Sequence, residues 1–447
     1  MRGLTREQGI ALLDRAAEVG LLNAHGGGYY GIHPALPWYF RDLFEHYYRG
    51  EAGNASRRAF AQAMGALGDF YHRQYNEGHR AVLSLVAAEE DNLLAAWRIA
   101  QEHALWGRVI GTMQGLGTLY GETGRSTAWR RLVETVLPHF VDPATDGPLP
   151  GREADWSLVT EYRVVLAEED RNFAEAERLQ RARVEWNRKG AQAALETGRE
   201  TWDDQQCHAI RSLGASIHAL AEIQRANGDR ICAGTYREAL EIAMALGETA
   251  MCAICAFNLG ATYVEIADLR DLGEAERWYR ESLDLHAPGD GLGRAKCLGE
   301  LGRVAFQRFV DAREDKRPIE ELARHLGEAA RLYEQSLEMM PGTDITSRGT
   351  IHNQLGNIYD DAGNTVRALR HYQEAIRCGE QENDFFAAGR RRYNVAVTLL
   401  NAGRLHDARA YAEAALANFL SFGDRAAADI QKTERLIARI KEAQAKE

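Results

Sequence analysis

The chain has 447 residues, 45% apolar and 27% charged, which is enough for one long helical array or for several domains. Its net charge of −11 argues against a general nucleic-acid or anionic-membrane surface and leaves open local basic patches. No apolar run approaches the roughly 18 residues of a membrane span, and no signal peptide opens the sequence. The six cysteines are scattered, which predicts reduced thiols in a cytoplasmic protein, with a disulfide set as the alternative.

The N-terminal stretch alternates helical and extended patterns. Thr5 and Gln8 have the spacing of a capping box, which predicts a helix that starts after Thr5. A short strand over 19–22 and a partner strand over 29–32 flank a run of glycines. A second helix is predicted over 35–48. The order of helix, small hairpin and helix is typical of a winged-helix module.

The segment GLLNAHGGGYYGIHPALPWYFRDL, residues 20–43, resembles the winged helix that follows the nucleotide-binding domain in STAND-type (NB-ARC-like) signal-transduction NTPases. We therefore expect a winged-helix module over 1–48. The resemblance implies that His33 contacts nucleotide; a local hydrogen bond at the helix start is the alternative. A winged helix can also bind DNA. These segments carry few Lys or Arg and no basic recognition helix, so nucleic acid is not the expected partner.

Residues 49–141 are predicted to be a helical region with degenerate repeats. From Glu89 the pattern Glu-x-x-Asn-Leu-x-x-Ala-Trp resembles the signature that opens the repeat region of the same regulators. We expect Asn92 to form a buried hydrogen bond to the backbone between helices, and Trp97 to lie in the core. The four prolines of 138–150 predict a linker.

A two-helix pattern recurs over 151–425. Each clear copy has a Leu-Gly pair on the first helix and Ala-x-x-x-Tyr on the second. The copies are Leu259-Gly260-x-x-Tyr263 with Ala275-x-x-x-Tyr279, Leu301-Gly302 with Ala329-x-x-x-Tyr333, and Leu355-Gly356-x-x-Tyr359 with Ala368-x-x-x-Tyr372. This order and spacing resembles the tetratricopeptide repeat. We expect each glycine to face the second helix of its own repeat at close range.

The repeats depart from the family pattern in two ways. His352 stands where the family usually has tryptophan. The anchors Gly260, Gly302, Gly356 and Ala396 are 42, 54 and 40 residues apart, whereas the family period is about 34. We therefore expect longer helices or longer loops, above all in the charged insertion over 308–321.

These patterns predict an all-α fold, a solenoid of tetratricopeptide-like helical hairpins with a small N-terminal winged-helix module. The repeats are expected over 151–425. A charged helix over 426–447 is expected to cap them, because the final repeat has no neighbour to cover its apolar face.

The sequence gives no support for catalysis. It contains neither a Walker loop nor an H-E-x-x-H motif, so no cofactor and no metal are expected. Cys252-x-x-Cys255 has metal or redox spacing, but the second pair of a zinc ribbon is missing. Because both cysteines fall within a helical pattern among small residues, we interpret them as packing residues.

The positive hypothesis is partner binding. The first helices of a repeat solenoid line its inner wall, where residues that packing does not need can bind a ligand. The candidates are Lys296, Arg303, Asn353, Asn357, Arg390, Arg391, Arg392 and Tyr393. The three consecutive arginines favour a carboxylate or phosphate partner, since guanidinium groups bind both in a bidentate manner. Alternatively, these arginines offset the acidic Glu380, Glu382 and Asp384 just upstream.

The resemblance implies the sensor half of a STAND regulator, in which the nucleotide-binding NTPase domain lies upstream in the full-length protein. Such a half binds a trigger, here a protein or peptide ligand of acidic character, and controls NTPase activation or oligomerisation. The alternative from another class is a DNA-binding transcriptional regulator with a winged helix and a repeat effector domain. A hydrolase has the least support.

Overall fold

The computed structural model of the protein describes residues 5–26, 29–32 and 37–446. Across these residues there are twenty α-helices and one two-stranded antiparallel hairpin. The only other β contact among them is an isolated bridge between Val141 and Pro148. None of the described helices is long and apolar enough to span a membrane. The chain divides into two compact units, Met1–Leu166 and Ala167–Glu447, which are described in turn.

Unit 1 begins with the predicted order of helix, hairpin and helix. Its elements are α1 Arg6–Glu18, β1 Leu22–Gly26, β2 Tyr29–Ile32, α2 Pro37–Tyr47, α3 Glu51–Asn76, α4 Val82–Ala88, α5 Glu90–Glu102, α6 Trp106–Glu122, α7 Ser126–Val136 and α8 Glu153–Glu169, which runs past the unit boundary. The predicted capping box is confirmed: Gln8 N–H donates to Thr5 Oγ1 at 3.2 Å, and Gln8 Oε1 accepts from Thr5 N–H at 2.9 Å. His33 lies outside the described residues.

The strand predicted over 19–22 is wrong in its position. Gly20 adopts a φ of 76°, in the left-handed region, and Leu21 N–H donates to Ala16 O at 2.9 Å. These bonds end α1 in the manner of a Schellman motif, so the extended backbone begins only at Leu22. The hairpin then pairs Leu22 with Ile32 in an antiparallel register.

The expected role of Asn92 is also wrong, whereas that of Trp97 is confirmed. Asn92 is exposed in the first turn of α5, and its Nδ2 donates to Glu89 Oε2 at 2.7 Å. Its neighbour Leu93 takes the buried position instead, with no exposed surface. Trp97 is 7% exposed and belongs to the core.

Helices α3 and α6 of unit 1 approach each other through glycines. A Cβ on Gly115 would lie 3.0 Å from Gly68 Cα, and a Cβ on Gly111 would lie 2.8 Å from Asp69 Oδ2. Glycine at these positions lets the two backbones pack without intervening side chains.

Unit 2 continues as a series of helices. They are α9 Phe173–Leu195, α10 Asp204–Ala226, α11 Cys232–Leu246, α12 Thr249–Glu265, α13 Leu272–Leu285, α14 Gly291–Glu314, α15 Ile319–Met339, α16 Ile345–Asp361, α17 Thr365–Gln381, α18 Phe385–Asn401, α19 Leu405–Leu420 and α20 Ala427–Gln444. From α10 onwards, consecutive helices pack as hairpins, each hairpin packs on the next, and α20 packs on α19. The fold is the predicted all-α solenoid of tetratricopeptide-like hairpins.

The repeat whose anchor is Gly302 is the longest, and its extra residues lengthen its two helices. The charged insertion over 308–321 lies mostly within α14 and α15, which have 24 and 21 residues. Only residues 315–318 separate the two helices.

The glycine anchors face the second helix of their own hairpin, as predicted. A Cβ on Gly260 would lie 2.8 Å from Tyr279 Cδ1, and a Cβ on Gly302 would lie 2.9 Å from Tyr333 Cδ2. A Cβ on Gly356 would lie 2.5 Å from Cδ1 of Tyr372, whose side chain is 2% exposed. Each buried tyrosine ring therefore occupies the space that a side chain on the first helix would need.

Arginines join some of the hairpins to the hairpin before them. Arg294 Nη1 on α14 donates to Leu283 O near the end of α13, at 3.1 Å. Arg348 on α16 donates in the same way to Leu337 O at 3.1 Å and to Met340 O at 3.2 Å. The carbonyl groups at a helix C-terminus lack partners within the helix and carry partial negative charge, so these contacts are favourable.

We predict that Gly356→Leu destabilises the protein by about 1–3 kcal/mol, because the new side chain must displace the Tyr372 ring. Gly327→Leu is the matched control: Gly327 also lies within a helix, but a Cβ there would have no atom within 4 Å. The control should be neutral or slightly stabilising, since glycine is a poor helix former. Thermal unfolding compares the variants, and equal melting temperatures would show that the repeat register is wrong.

Candidate ligand-binding groove

Two cavities lie along the first helices of the later hairpins in unit 2. One has a volume of about 370 Å³ and is lined mainly by α16, α18 and α20; we call it the α18–α20 pocket. The other has a volume of about 340 Å³ and is lined by α12, α14, α15 and α16; we call it the Gly299 pocket. Both are lined by Thr346, Thr350 and Gln354, whose spacing of four places them on one face of α16. The two pockets therefore adjoin along α16, and we call them together the first-helix groove.

Most of the predicted binding residues lie in this groove. Asn353, Arg390, Arg391 and Tyr393 line the α18–α20 pocket. Lys296 and Arg303 line the Gly299 pocket. Asn357 and Arg392 line neither pocket.

The three consecutive arginines have different environments. Arg391 is half-buried and donates from Nη1 to Ala375 O at 2.6 Å, and burial lowers its pKa. Arg392 forms an ion pair with Glu380 and donates to Asn418 Oδ1 at 2.6 Å. Arg390 is exposed and has no carboxylate or hydrogen-bond partner among the described residues. Of the three, Arg390 is therefore the one whose guanidinium group is available to a ligand.

A second cation stands opposite Arg390 in the α18–α20 pocket. Lys432 on α20 is exposed, and its Nζ lies 4.7 Å from the ring centroid of Tyr393, within the range of a cation–π contact. Among the described residues it has no carboxylate partner. Two acidic residues share the pocket: Asp384 caps α18 by accepting from Ala387 N–H at 2.9 Å, and Asp429 lies in the first turn of α20.

Two amide side chains, one on α16 and one on α18, bind each other in the α18–α20 pocket. Asn394 Nδ2 on α18 donates to Asn353 Oδ1 on α16 at 3.3 Å. This single bond leaves further amide donors and acceptors in the α18–α20 pocket. Asn357 has a different role: its Oδ1 accepts from Tyr372 O–H at 2.8 Å, which joins α16 to α17 within one hairpin.

The two cations of the Gly299 pocket, Arg303 and Lys296, also differ in whether a group within the protein holds them. Arg303 Nε donates to Glu300 Oε2 at 2.6 Å, and Arg303 Nη2 donates to Tyr279 Oη at 3.2 Å. Lys296 is exposed, with no carboxylate within ion-pair distance among the residues that the structure describes. Lys296 can therefore contact a ligand, whereas Arg303 is held by its own helix and its neighbour.

Beside the groove, a histidine pair connects α16 and α17, and sequence reasoning missed it. His352 Nδ1 lies 3.1 Å from His371 Nδ1, and the His371 ring stacks on Tyr359. Burial lowers the pKa of His352 to about 4 and also lowers the pKa of His371. The replacement of the usual tryptophan by His352 was the signal, but the motif alone does not show that His371 meets it.

Charged groups face this pair from three helices. Arg348 and Glu374 act on His352. Glu334, Glu374, Arg367 and Arg370 act on His371, where the arginines oppose protonation and the glutamates favour it. The two facing Nδ1 atoms share one proton in a single hydrogen bond. A second proton there would make one ring positive and would set two N–H donors against each other.

The cysteine pair lies in the core. Burial raises the pKa of Cys252 and raises that of Cys255 to about 12, so both thiols stay protonated near neutral pH. Within the described ranges, no three His, Cys, Asp or Glu side chains form a group that could hold a metal ion.

No protein-family model matches the chain, and a comparison with curated proteins gives no match. Solved structures similar to it include a Signal Transduction ATPase with Numerous Domains (STAND) protein with a tetratricopeptide repeat sensor from Pyrococcus horikoshii. That match is 15% identical with a TM-score of 0.49; it covers 94% of this chain, which spans only 60% of that protein. The quorum sensor NprR from B. thuringiensis is 12% identical, with a TM-score of 0.43 and 83% and 99% of the two chains covered.

A Rap protein complexed with Competence and Sporulation Factor is 11% identical to the chain. Its TM-score is 0.45, and the match covers 86% of this chain and 99% of that one.

We predict that stability falls as the pH falls from 7 towards 4. In this window the unfolded chain protonates its histidines near pH 6.5, whereas the folded protein keeps His352 neutral down to about pH 4, so protons favour unfolding. Replacing His352 with Gln removes this group, and the variant should lose less stability between pH 7.5 and pH 5. Urea unfolding at the two pH values measures this, and an identical loss in both proteins would contradict it.

Proposed function

We propose that the first-helix groove binds an extended protein or peptide segment that carries acidic groups, and that the chain is a non-catalytic binding scaffold. The observation that carries the proposal is a pair of cations in the α18–α20 pocket, Arg390 and Lys432, that have no carboxylate partner among the described residues. Several other arginines of unit 2 form ion pairs, such as Arg270 with Asp311 and Arg313 with Asp361. The contrast supports a role for Arg390 and Lys432 outside the chain.

The chemistry of the α18–α20 pocket suits a carboxylate or a phosphate. A guanidinium group binds either anion through two parallel hydrogen bonds, and the neighbouring amides of Asn353 and Asn394 can bind the ligand backbone. The protein has a net charge of −11, so this local cationic site would select an acidic segment against the general field. Each exposed charge contributes at most about 1 kcal/mol, so the cations must act together.

We further propose that the chain is the sensor region of a STAND-type regulator, as the segment over 20–43 and the signature from Glu89 indicate by resemblance. In this proposal a winged helix occupies 1–48, degenerate repeats occupy 49–141 and repeats occupy 151–425. The C-terminal helix over 426–447 caps the array. Recognition of a trigger in the groove would control activation or oligomerisation of an NTPase domain in the full-length cytoplasmic protein.

We predict that the double variant Arg390→Glu/Lys432→Glu loses affinity for acidic segments. A fluorescein-labelled ten-residue Gly-Ser peptide with three glutamates is the probe, and an equivalent peptide with three lysines tests charge selectivity. Fluorescence anisotropy should show about a tenfold loss, because two attractive contacts become repulsive. The affinity of the unaltered protein should also fall as salt rises.

The matched control for this experiment is Arg324→Glu. Arg324 is exposed on α15, a second helix, and the substitution makes the same charge change per site outside the groove. Equal losses in the control and the double variant would show a general charge effect. No loss in either variant would contradict binding at the α18–α20 pocket.

We also predict that the purified chain neither hydrolyses ATP nor binds it tightly, because it has no Walker loop to hold the phosphates. Isothermal titration calorimetry and a phosphate-release assay measure the two properties. Stoichiometric binding at micromolar ATP would contradict the proposal and would point to His33 as a nucleotide contact.

A further inference from the structure

We propose that the Gly299 pocket holds an apolar side chain of the ligand, so that the groove selects segments with an aliphatic or aromatic anchor about six residues from an acidic group. This inference rests on the proposed function of the groove and adds a second subsite. It assigns the ligand class from the shape of the pocket and from the charges on its rim.

Beside polar side chains such as Ser336, Ser347 and Gln354, the Gly299 pocket has apolar walls. They include Phe257 from α12, Met340 after α15 and Ile351 from α16. Phe257 packs edge to face on the buried Tyr279, with ring centroids 5.3 Å apart. Met340 and Ile351 are each 5% exposed and belong to the core of unit 2. A cavity of about 340 Å³ between fixed apolar walls can hold a leucine-sized or larger side chain.

Gly299 opens this pocket, and packing within the protein does not require it. A Cβ on Gly299 would meet only Ser336 Oγ, at 3.4 Å, which is an ordinary contact. Three residues further along α14, a Cβ on Gly302 would lie 2.9 Å from the Tyr333 ring. Gly299 therefore leaves space open on this side of α14, which a longer side chain at position 299 would fill.

The rim and the position of the pocket define the rest of the ligand. Lys296 provides an exposed cation at the rim, and the Arg303 charge is balanced by Glu300. The groove then continues along α16 to Arg390 on α18. Two steps between neighbouring first helices span roughly 20 Å, which about six residues of extended chain can cross.

Four fluorescein-labelled Gly-Ser peptides of ten residues test the proposal. The first carries a leucine six residues from a pair of glutamates, the second only the glutamates, the third only the leucine, and the fourth both groups two residues apart. By fluorescence anisotropy, the first peptide should bind the unaltered protein at least tenfold more tightly than each of the others.

Gly299→Leu fills the pocket, and Gly327→Leu is its control because Gly327 lies on α15 with no atom near its Cβ position. Gly299→Leu should reduce the affinity for the first peptide to that for the glutamate-only peptide, and it should leave the latter unchanged. Gly327→Leu should alter neither affinity. Thermal unfolding checks that both variants fold, and the comparison of peptides on the unaltered protein does not depend on any variant.

Three results would overturn the inference. If the glutamate-only peptide binds as tightly as the first peptide, the groove recognises acidic segments without an anchor, and the proposed function stands without this subsite. If Gly299→Leu keeps the full preference for the first peptide, the leucine binds elsewhere. If none of the four peptides binds, the proposed function and the anchor pocket both fail.

Discussion

The contact between a glycine on the first helix and a buried tyrosine ring on the second helix is the constraint on which three hairpins of unit 2 depend. At Gly260, Gly302 and Gly356, the ring of Tyr279, Tyr333 or Tyr372 fills the space next to the backbone. Because the ring takes this position, the two helices of a hairpin approach closely and their register is fixed. The other face of each first helix remains free of its partner helix, and that face lines the groove.

The arginines of unit 2 show how the groove acquires its charge. Arg294 and Arg348 bind carbonyl groups at the ends of preceding helices, and Arg391 binds a carbonyl of α17. The contacts of Arg294 and Arg348 neutralise helix ends, and all three contacts join neighbouring hairpins. Arg390 and Lys432 have no such contact among the described residues. The first three arginines stabilise the stack, whereas Arg390 and Lys432 face solvent in a concavity. The exposed cations are therefore the ones that allow the α18–α20 pocket to bind an anionic ligand.

The sequence predicted the hairpins well because their determinants are local and periodic. A glycine, and a tyrosine on the next helix, recur at spacings that only a helical hairpin explains, and the capping box at Thr5 depends on two residues three apart. The strand over 19–22 failed for a local reason as well, since Gly20 adopted a left-handed conformation that extended the end of α1.

The features that the sequence did not reveal depend on contacts between distant residues. Which arginine of the triplet is available depends on Ala375 O and Asn418, which lie 16 and 26 residues away. The pairing of His352 with His371 depends on how α16 meets α17, and the space at Gly299 depends on side chains from four helices. Asn92 was misassigned because the motif fixes helical spacing but not which residue of the first turn faces the core.

We propose that the first helices of the later hairpins form the ligand-binding surface. Photo-cross-linking tests it most directly: a peptide with a leucine, a glutamate pair and a diazirine group between them is irradiated with the protein, and mass spectrometry identifies the attached residues. The account predicts attachment to α16 and α18, at residues near Thr350 and Asn353. Attachment mainly to the second helices α13 or α17, or to unit 1, would contradict it.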